Sequence, residues 1–418
     1  MLPVLLSLLV ASSAAHPGKR QASNPVFMPI KYPYNGYPKV YADLSFGTPA
    51  QTAIEVVVDL GSSDFWVYGP NATIYYGSPY LGVEGPCQEH PSPNYNPSQS
   101  TTAHALLNQT RGYAYGGNGK ILTSYYANND TVAFDGTATF PNTQVAIVNK
   151  TLVKIRADEC TGVDYDSSIL GLSEFTDRTV GPSWRQNLLS TGAIESSTLA
   201  MWFDQLPADA PANATHRGTA LFGAIPRGKY AGNLVQVPKR QPESSVGYYV
   251  DTPVWTVGEK RIKLYDNTTT ECLIDSGSGQ DYLPLDQDDF LNATGLISWN
   301  NYVAYNGSCD EIPRDAAVSI TFGGVDNGAS VTVDVPIRNW ARGNTDWLND
   351  TTKCGLSMQL SNVGSCTLGS PFSSAAFLAV NDELDQIALA QGGVSTGAED
   401  GADGLGTVEI IAKGQGLP

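Results

Sequence analysis

The sequence predicts a mainly β chain folded as two similar lobes with a cleft between them, and three observations carry that expectation. Tyr41–Phe46 (YADLSF), Ala317–Phe322 (AVSITF) and Ser330–Val335 (SVTVDV) alternate apolar with polar side chains, the period of a half-buried strand. Clusters of Gly, Pro, Asn and Asp separate such segments at short intervals, and long helical periodicity is scarce. The chain, at 418 residues, exceeds the roughly 250–300 at which a single core stops growing.

The lobes are expected to be similar because the chain repeats itself. VVVDLGSSDFWV (Val56–Val67) is an apolar strand ending in Asp59, one residue, Gly61 and Ser62; CLIDSGSGQDYL (Cys272–Leu283) ends in Asp275, one residue, Gly277 and Ser278. Each half later carries an apolar Leu-Gly strand end, Ser168-Ile169-Leu170-Gly171 in the first and Cys366-Thr367-Leu368-Gly369 in the second. Facing lobes bring both Asp turns to one interface.

The N-terminus, MLPVLLSLLVASSAAHPGKRQ, has a short apolar run and then small residues, the pattern of a cleaved secretory signal over residues 1–15. The apolar run is too short for the roughly 20 residues of a membrane span. Residues 16–39 read as a short extension with a dibasic processing site at Lys19-Arg20. The first lobe is assigned residues 40–228 and the second 229–393, and 394–418, Gly-rich and acidic, is expected to be a flexible tail.

Nine sequons, at Asn71, Asn108, Asn129, Asn149, Asn213, Asn267, Asn292, Asn306 and Asn349, agree with a secreted, extracellular glycoprotein. Six cysteines then imply disulfides, with the pairing left open by spacing alone. No Cys-x-x-Cys or His-Glu-x-x-His spacing points to a metal. The net charge of −17, from 41 acids against 24 bases, argues against nucleic acid and anionic membrane as partners and suits solution at low pH.

A single Asp-x-Gly-Ser is an ordinary turn. Two copies in matched apolar frames call for another reason, and paired carboxyls supply one. Held a few Å apart they cannot both ionise, so they share a proton, one acting as base on a water and the other as acid on a peptide carbonyl. Gly61 and Gly277 let backbone crowd such a site, and Ser62 and Ser278 are placed to hydrogen-bond the outer carboxylate oxygens. No cofactor is called for.

With these residues in view the chain resembles the pepsin-family aspartic endopeptidases over roughly Tyr41–Gly392. GTPAQ (Gly47–Gln51) is similar to the family's turn ahead of the first catalytic strand; Ser63, Phe65, Trp66 and Val67 follow Asp59 as the motif does; SSILGL (Ser167–Leu172) and LGSPF (Leu368–Phe372) resemble its glycine-ended strands. The resemblance implies a bilobal pepsin-like fold, Asp59 and Asp275 as catalytic residues, a polypeptide substrate cleaved at acid pH, no cofactor and a monomer. It also implies a hairpin flap with a tyrosine near its tip. YGGNGK (Tyr115–Lys120) fits because Asn118-Gly119 is a two-residue hairpin signal, making Tyr115 the flap tyrosine with Tyr113 as its rival. Cys309 and Cys354 resemble the family's second-lobe disulfide, and Cys87–Cys160 and Cys272–Cys366 then remain by subtraction.

Two departures stand out. The family has Thr or Ser after each catalytic Asp, with a hydroxyl reaching the other lobe; Ser276 keeps it and Leu60 does not. One half of the interlobe brace is therefore expected to be missing, and a weakened or inactive peptide-binding or inhibitory protein on the same fold is the alternative reading. The stretch before Tyr41 is short for the family's basic propeptide. A serine hydrolase, prompted by GVSTG (Gly393–Gly397), lacks a later histidine, since the last is His216. A glycosidase would also use two carboxyls, but nothing singles out such a pair.

Overall fold

A computed structural model describes residues 25–34, 39–77, 87–106, 111–116, 120–134, 138–154, 167–176, 179, 181–242, 245–266, 268–343, 350, 352–360, 365–394 and 405–418. The leader, Lys19-Arg20, Asn118-Gly119, Cys160 and the sequons Asn108, Asn267 and Asn349 lie outside the described residues.

Strands dominate, and the alternating segments are among them. Tyr41–Phe46 and Ala317–Phe322 form as expected, and the third alternating segment forms at Val331–Pro336, one residue later. In Ala317–Phe322 every second side chain is buried, so the polar positions face outward along one pleat. The strand ahead of the first Asp turn, Ile54–Asp59, is buried from Val56 onward, as a strand covered on both faces must be.

One long sheet runs from the middle of the molecule into the first lobe. Its central part orders Ala231–Val237, Gln386–Gln391, Ala376–Asn381, Thr198–Phe203, His216–Phe222 and Val26–Tyr32, and it continues through Tyr41–Phe46 and Ile54–Asp59. Strands from both halves therefore share this sheet, and Met201 lies opposite Leu378 where they meet. The second lobe adds three smaller sheets, one of them carrying Glu271–Ile274 beside Thr367–Leu368.

Both chain ends contribute to the fold. Part of the short extension 16–39 belongs to the fold: Val26–Tyr32 pairs along its whole length with His216–Phe222, burying Val26, Met28, Ile30 and Tyr32 while Pro29 stays exposed. The end of the supposed flexible tail is docked. Val408–Ile410 pairs with Ala224–Pro226, the Leu417 amide donates to Gln386 (2.9 Å), and Asn381 donates to the Gln415 carbonyl (2.8 Å). Ile411 and Leu417 are buried against Ala200, Trp202, Leu221 and Phe377, an apolar sheet face that water would otherwise meet.

Two disulfides lie in the second lobe. Cys272–Cys366 (Cα–Cα 4.5 Å) ties the parallel strands Glu271–Ile274 and Thr367–Leu368, and Cys309–Cys354 (Cα–Cα 4.9 Å) forms nearby. Of the sequons, Asn71, Asn213, Asn292 and Asn306 are exposed. Asn129 lies on a paired strand, half-buried, with its amide oxygen enclosed.

Candidate active site

Each Asp turn is framed by the same local arrangement. In the first half Ser168–Gly171 runs parallel to Ile54–Asp59 with Gly171 opposite Asp59, and the Leu172 amide donates to the Asp59 carbonyl (2.7 Å). In the second, Thr367–Leu368 runs parallel to Glu271–Ile274, and the Asp275 amide donates to the Leu368 carbonyl (2.9 Å). A Cβ at Gly171 would lie 2.6 Å from the Ser63 carbonyl carbon, and one at Gly369 2.5 Å from the Gln280 oxygen. These glycines let the neighbouring turns fold tightly over the strand ends.

The two turns meet face to face. A Cβ at Gly61 would stand 2.8 Å from Cγ of Asp275, and one at Gly277 2.7 Å from Cγ of Asp59, so each turn presents bare backbone to the opposite carboxyl. A Cβ at Gly277 would also lie 3.1 Å from Oδ1 of Asp275, so the two carboxyls are close neighbours. Oδ1 of Asp59 accepts the Gly61 amide (2.8 Å) and Oδ2 the Ser62 hydroxyl (2.5 Å). Oδ1 of Asp275 accepts the Gly277 and Ser278 amides (2.9 and 3.2 Å). The expected symmetry of the serines fails here: the Ser278 hydroxyl turns away to the Gln280 carbonyl (2.7 Å), which the Gly279-Gln280 bend brings within reach.

Burial and then the neighbouring Asp59 carboxyl push Asp275 well above the usual carboxylate range. The Lys39 ammonium and the Gly277 amide pull the other way without prevailing. The geometry thus offers one proton held on Asp275 and an Asp59 carboxyl, 5 % exposed, steadied by two donors.

The brace between the turns is one-sided. The buried Ser276 hydroxyl donates to the Val58 carbonyl (2.6 Å) and accepts the Leu60 amide (3.1 Å), crossing from the second lobe to the first. Leu60 makes no reciprocal hydroxyl bond; its side chain is fully buried in the main core, among residues of both lobes such as Val58 and Ile274. The Val40 amide adds one more bond across the boundary, to the Ser276 carbonyl (3.4 Å).

Strands Arg111–Tyr115 and Lys120–Phe134 form a hairpin in which Tyr115 pairs with Lys120, so four residues rather than two connect them. The Tyr115 hydroxyl accepts the Trp66 indole N–H (2.9 Å), and burial, then the Asp64 and Asp59 carboxyls, hold it well above the usual phenol range. Tyr113, two residues earlier on the same strand, is buried in the cluster of Trp66, Tyr68 and Leu122 against which Tyr115 also packs. Sequence reading missed Lys120, the buried first residue of the hairpin's second strand, with Nζ donating to the Ser167 carbonyl (3.0 Å) and lying 4.6 Å from the Trp66 ring centre. It also missed Asp281, for which a signal existed: it falls six residues after Asp275, where the first half has Phe65 six after Asp59.

A family model described as "Eukaryotic aspartyl protease" matches residues 39–392. A probable aspartic-type endopeptidase of Aspergillus fumigatus is 27% identical over 249 residues, covering 58% of this chain and 46% of that relative. Candidapepsin-2 of Candida parapsilosis is 26% identical over 290 residues, covering 67% and 59%. The chain therefore spans about half the length of these curated relatives. The crystal structure of an aspartic proteinase from Irpex lacteus superposes with a TM-score of 0.60 at 18% identity, covering 89% of this chain and 99% of that one, a likeness of fold. With the family model spanning most of its length, this chain belongs to the eukaryotic aspartyl proteases.

Proposed function

We propose that the chain is a secreted aspartic endopeptidase that hydrolyses peptide bonds at acid pH through Asp59 and Asp275. The observation that carries this reading is the facing pair of buried carboxyls, with Asp275 pushed well above the usual carboxylate range by burial and then by the neighbouring Asp59. A water held by both carboxyls loses a proton to Asp59 as its oxygen attacks the peptide carbonyl carbon, and Asp275 gives its proton to the carbonyl oxygen. The tetrahedral intermediate collapses when the amide nitrogen takes the proton from Asp59 and leaves, while one of the two hydroxyls returns a proton to Asp275. Gly61 and Gly277 keep the space between the carboxyls free of side chains, Ser62 and Ser276 hold the turns in register, and Tyr115 covers the bound polypeptide. Export is supported by the apolar leader and the sequons.

Leu60 favours a second reading, in which the one-sided brace leaves a protein that binds peptides without cutting them. Turnover of an unfolded protein at pH of about 3 to 5 separates the two. Cleavage by the wild type that is abolished in folded Asp59→Asn and Asp275→Asn supports the peptidase; full activity in either variant removes the pair from the mechanism.

A further inference from the structure

The two halves differ at one enclosed position close behind the site. In the first half Leu170 of the glycine-ended strand pairs with Phe65, and Ile169 with Trp66. In the second half Tyr282 pairs with Thr367, which puts Asp281 in the place of Phe65. Both side chains are completely buried. A ring satisfies such a place by packing, whereas a carboxyl has to find donors there.

Asp281 has found them. Its Oδ1 accepts the Gly369 amide (2.5 Å) and its Oδ2 the Trp340 indole N–H (2.7 Å). Gly369 directly follows Leu368, whose carbonyl receives the Asp275 amide (2.9 Å). The next residue, Ser370, donates its hydroxyl to the carbonyls of Ser276 (2.9 Å) and Ser278 (3.0 Å). From the other side, a guanidinium nitrogen of Arg342 donates to the Gly279 carbonyl. The backbone on both sides of Asp275 is thus held by a short segment that Asp281 anchors.

We infer that Asp281 is a positioning residue for Asp275, its buried carboxyl holding Gly369 and Trp340 behind the second Asp turn and making the geometry of that turn depend on pH. The groups facing it are the Arg342 guanidinium from strand Ala341–Gly343, the Tyr32 phenol from strand Val26–Tyr32, and the uncharged Trp340 and Ser357. Tyr32 is itself pushed up to about 12 by burial and stays neutral.

Burial raises Asp281 from the ordinary 3.8 to about 7, against the donors Trp340, Gly369 and Phe372 and the charge of Arg342. The native state therefore holds a proton between those values that the unfolded chain has released. Stability from this group is complete below pH 3.8 and falls as pH rises to about 7. Above that, the fold carries a buried carboxylate. The direct relief is for water to enter between Asp281, Gly369 and Trp340, which loosens the support behind Asp275.

The kinetic part of this inference rests on the peptidase reading; the rest does not. The test uses the full chain and the variants Asp281→Asn, neutral at every pH with an amide oxygen for Gly369, and Asp281→Leu, apolar like Phe65. In the wild type the Gly369 amide resonance shifts with a midpoint near pH 7, and the melting temperature declines from pH 3.8 to about 7. Asp281→Asn loses the resonance shift and flattens the decline. At acid pH, Asp281→Leu lowers kcat by about tenfold to a hundredfold with KM little changed, and Asp281→Asn restores part of it. A Gly369 amide that does not titrate, an unaltered pH profile in Asp281→Asn, or an unchanged kcat in Asp281→Leu overturns the inference. Absence of turnover in the wild type would sink the peptidase reading instead, and the amide titration still judges Asp281 by itself.

Discussion

Gly277 and Asp59 meet across the boundary between the lobes, with only 2.7 Å between the place a Cβ would occupy and Cγ of the carboxyl. Gly61 stands in the same relation to Asp275 at 2.8 Å. Neither glycine is needed here for an unusual φ; the space its missing side chain leaves is what the opposite carboxyl fills.

A methyl group at either position must move a carboxyl or a turn. Gly277→Ala and Gly61→Ala are each expected to lower kcat by about a hundredfold or more, because sub-Å placement of the reacting groups governs the rate. Steady-state kinetics on folded variants check this, and near-normal rates would show that the turns yield easily.

Ser276→Ala removes a donor to the Val58 carbonyl and an acceptor from the Leu60 amide, both buried. Leaving such groups unsatisfied costs about 1–3 kcal/mol each, so both melting temperature and kcat should fall. Leu60→Thr supplies a hydroxyl to the opposite turn but empties part of a packed core, at a cost of about 2 kcal/mol or more. The expected result is a lower melting temperature with a higher kcat at acid pH. A raised melting temperature would refute the packing argument, and an unchanged kcat would show that one half of the brace suffices.

Tyr115→Phe keeps the ring and removes the hydroxyl that receives the Trp66 indole N–H. That leaves the buried Trp66 N–H without its acceptor, so stability should fall by about 1–3 kcal/mol, and kcat/KM is expected to fall about tenfold. Tyr113→Phe, inside the buried cluster, should leave the kinetics alone. The reverse pattern would make Tyr113 the tyrosine that meets substrate.

Deleting residues 405–418 exposes the sheet face that Ile411 and Leu417 cover. The loss of two buried side chains corresponds to about 3 kcal/mol or more. Thermal unfolding should move to lower temperature while turnover by the folded fraction at low temperature is retained. Unchanged unfolding would return this segment to the loose tail that its composition suggested.

Local pattern was enough for a good part of this protein. Alternation announced Tyr41–Phe46 and Ala317–Phe322 because a sheet with one buried face imposes its period on neighbouring residues. The repeated Asp-x-Gly-Ser turns led to a pair of facing carboxyls, since two similar strands ending in acids and glycines leave few other arrangements. What escaped depends on partners far away along the chain. Val26–Tyr32 fell within the stretch read only as a short extension, and pairing with His216–Phe222 gives it a place. The C-terminal segment looked unable to fold because it has no core of its own, yet Ile411 and Leu417 complete one built by others. Ser62 and Ser278 occupy matched positions in sequence, and the carbonyl of Gln280 decides that their hydroxyls part company. Asp281 reads as one more turn acid until Gly369 and Trp340 close around it, for burial and hydrogen-bond partners arise from the folded neighbourhood, which a residue's own surroundings in sequence do not specify.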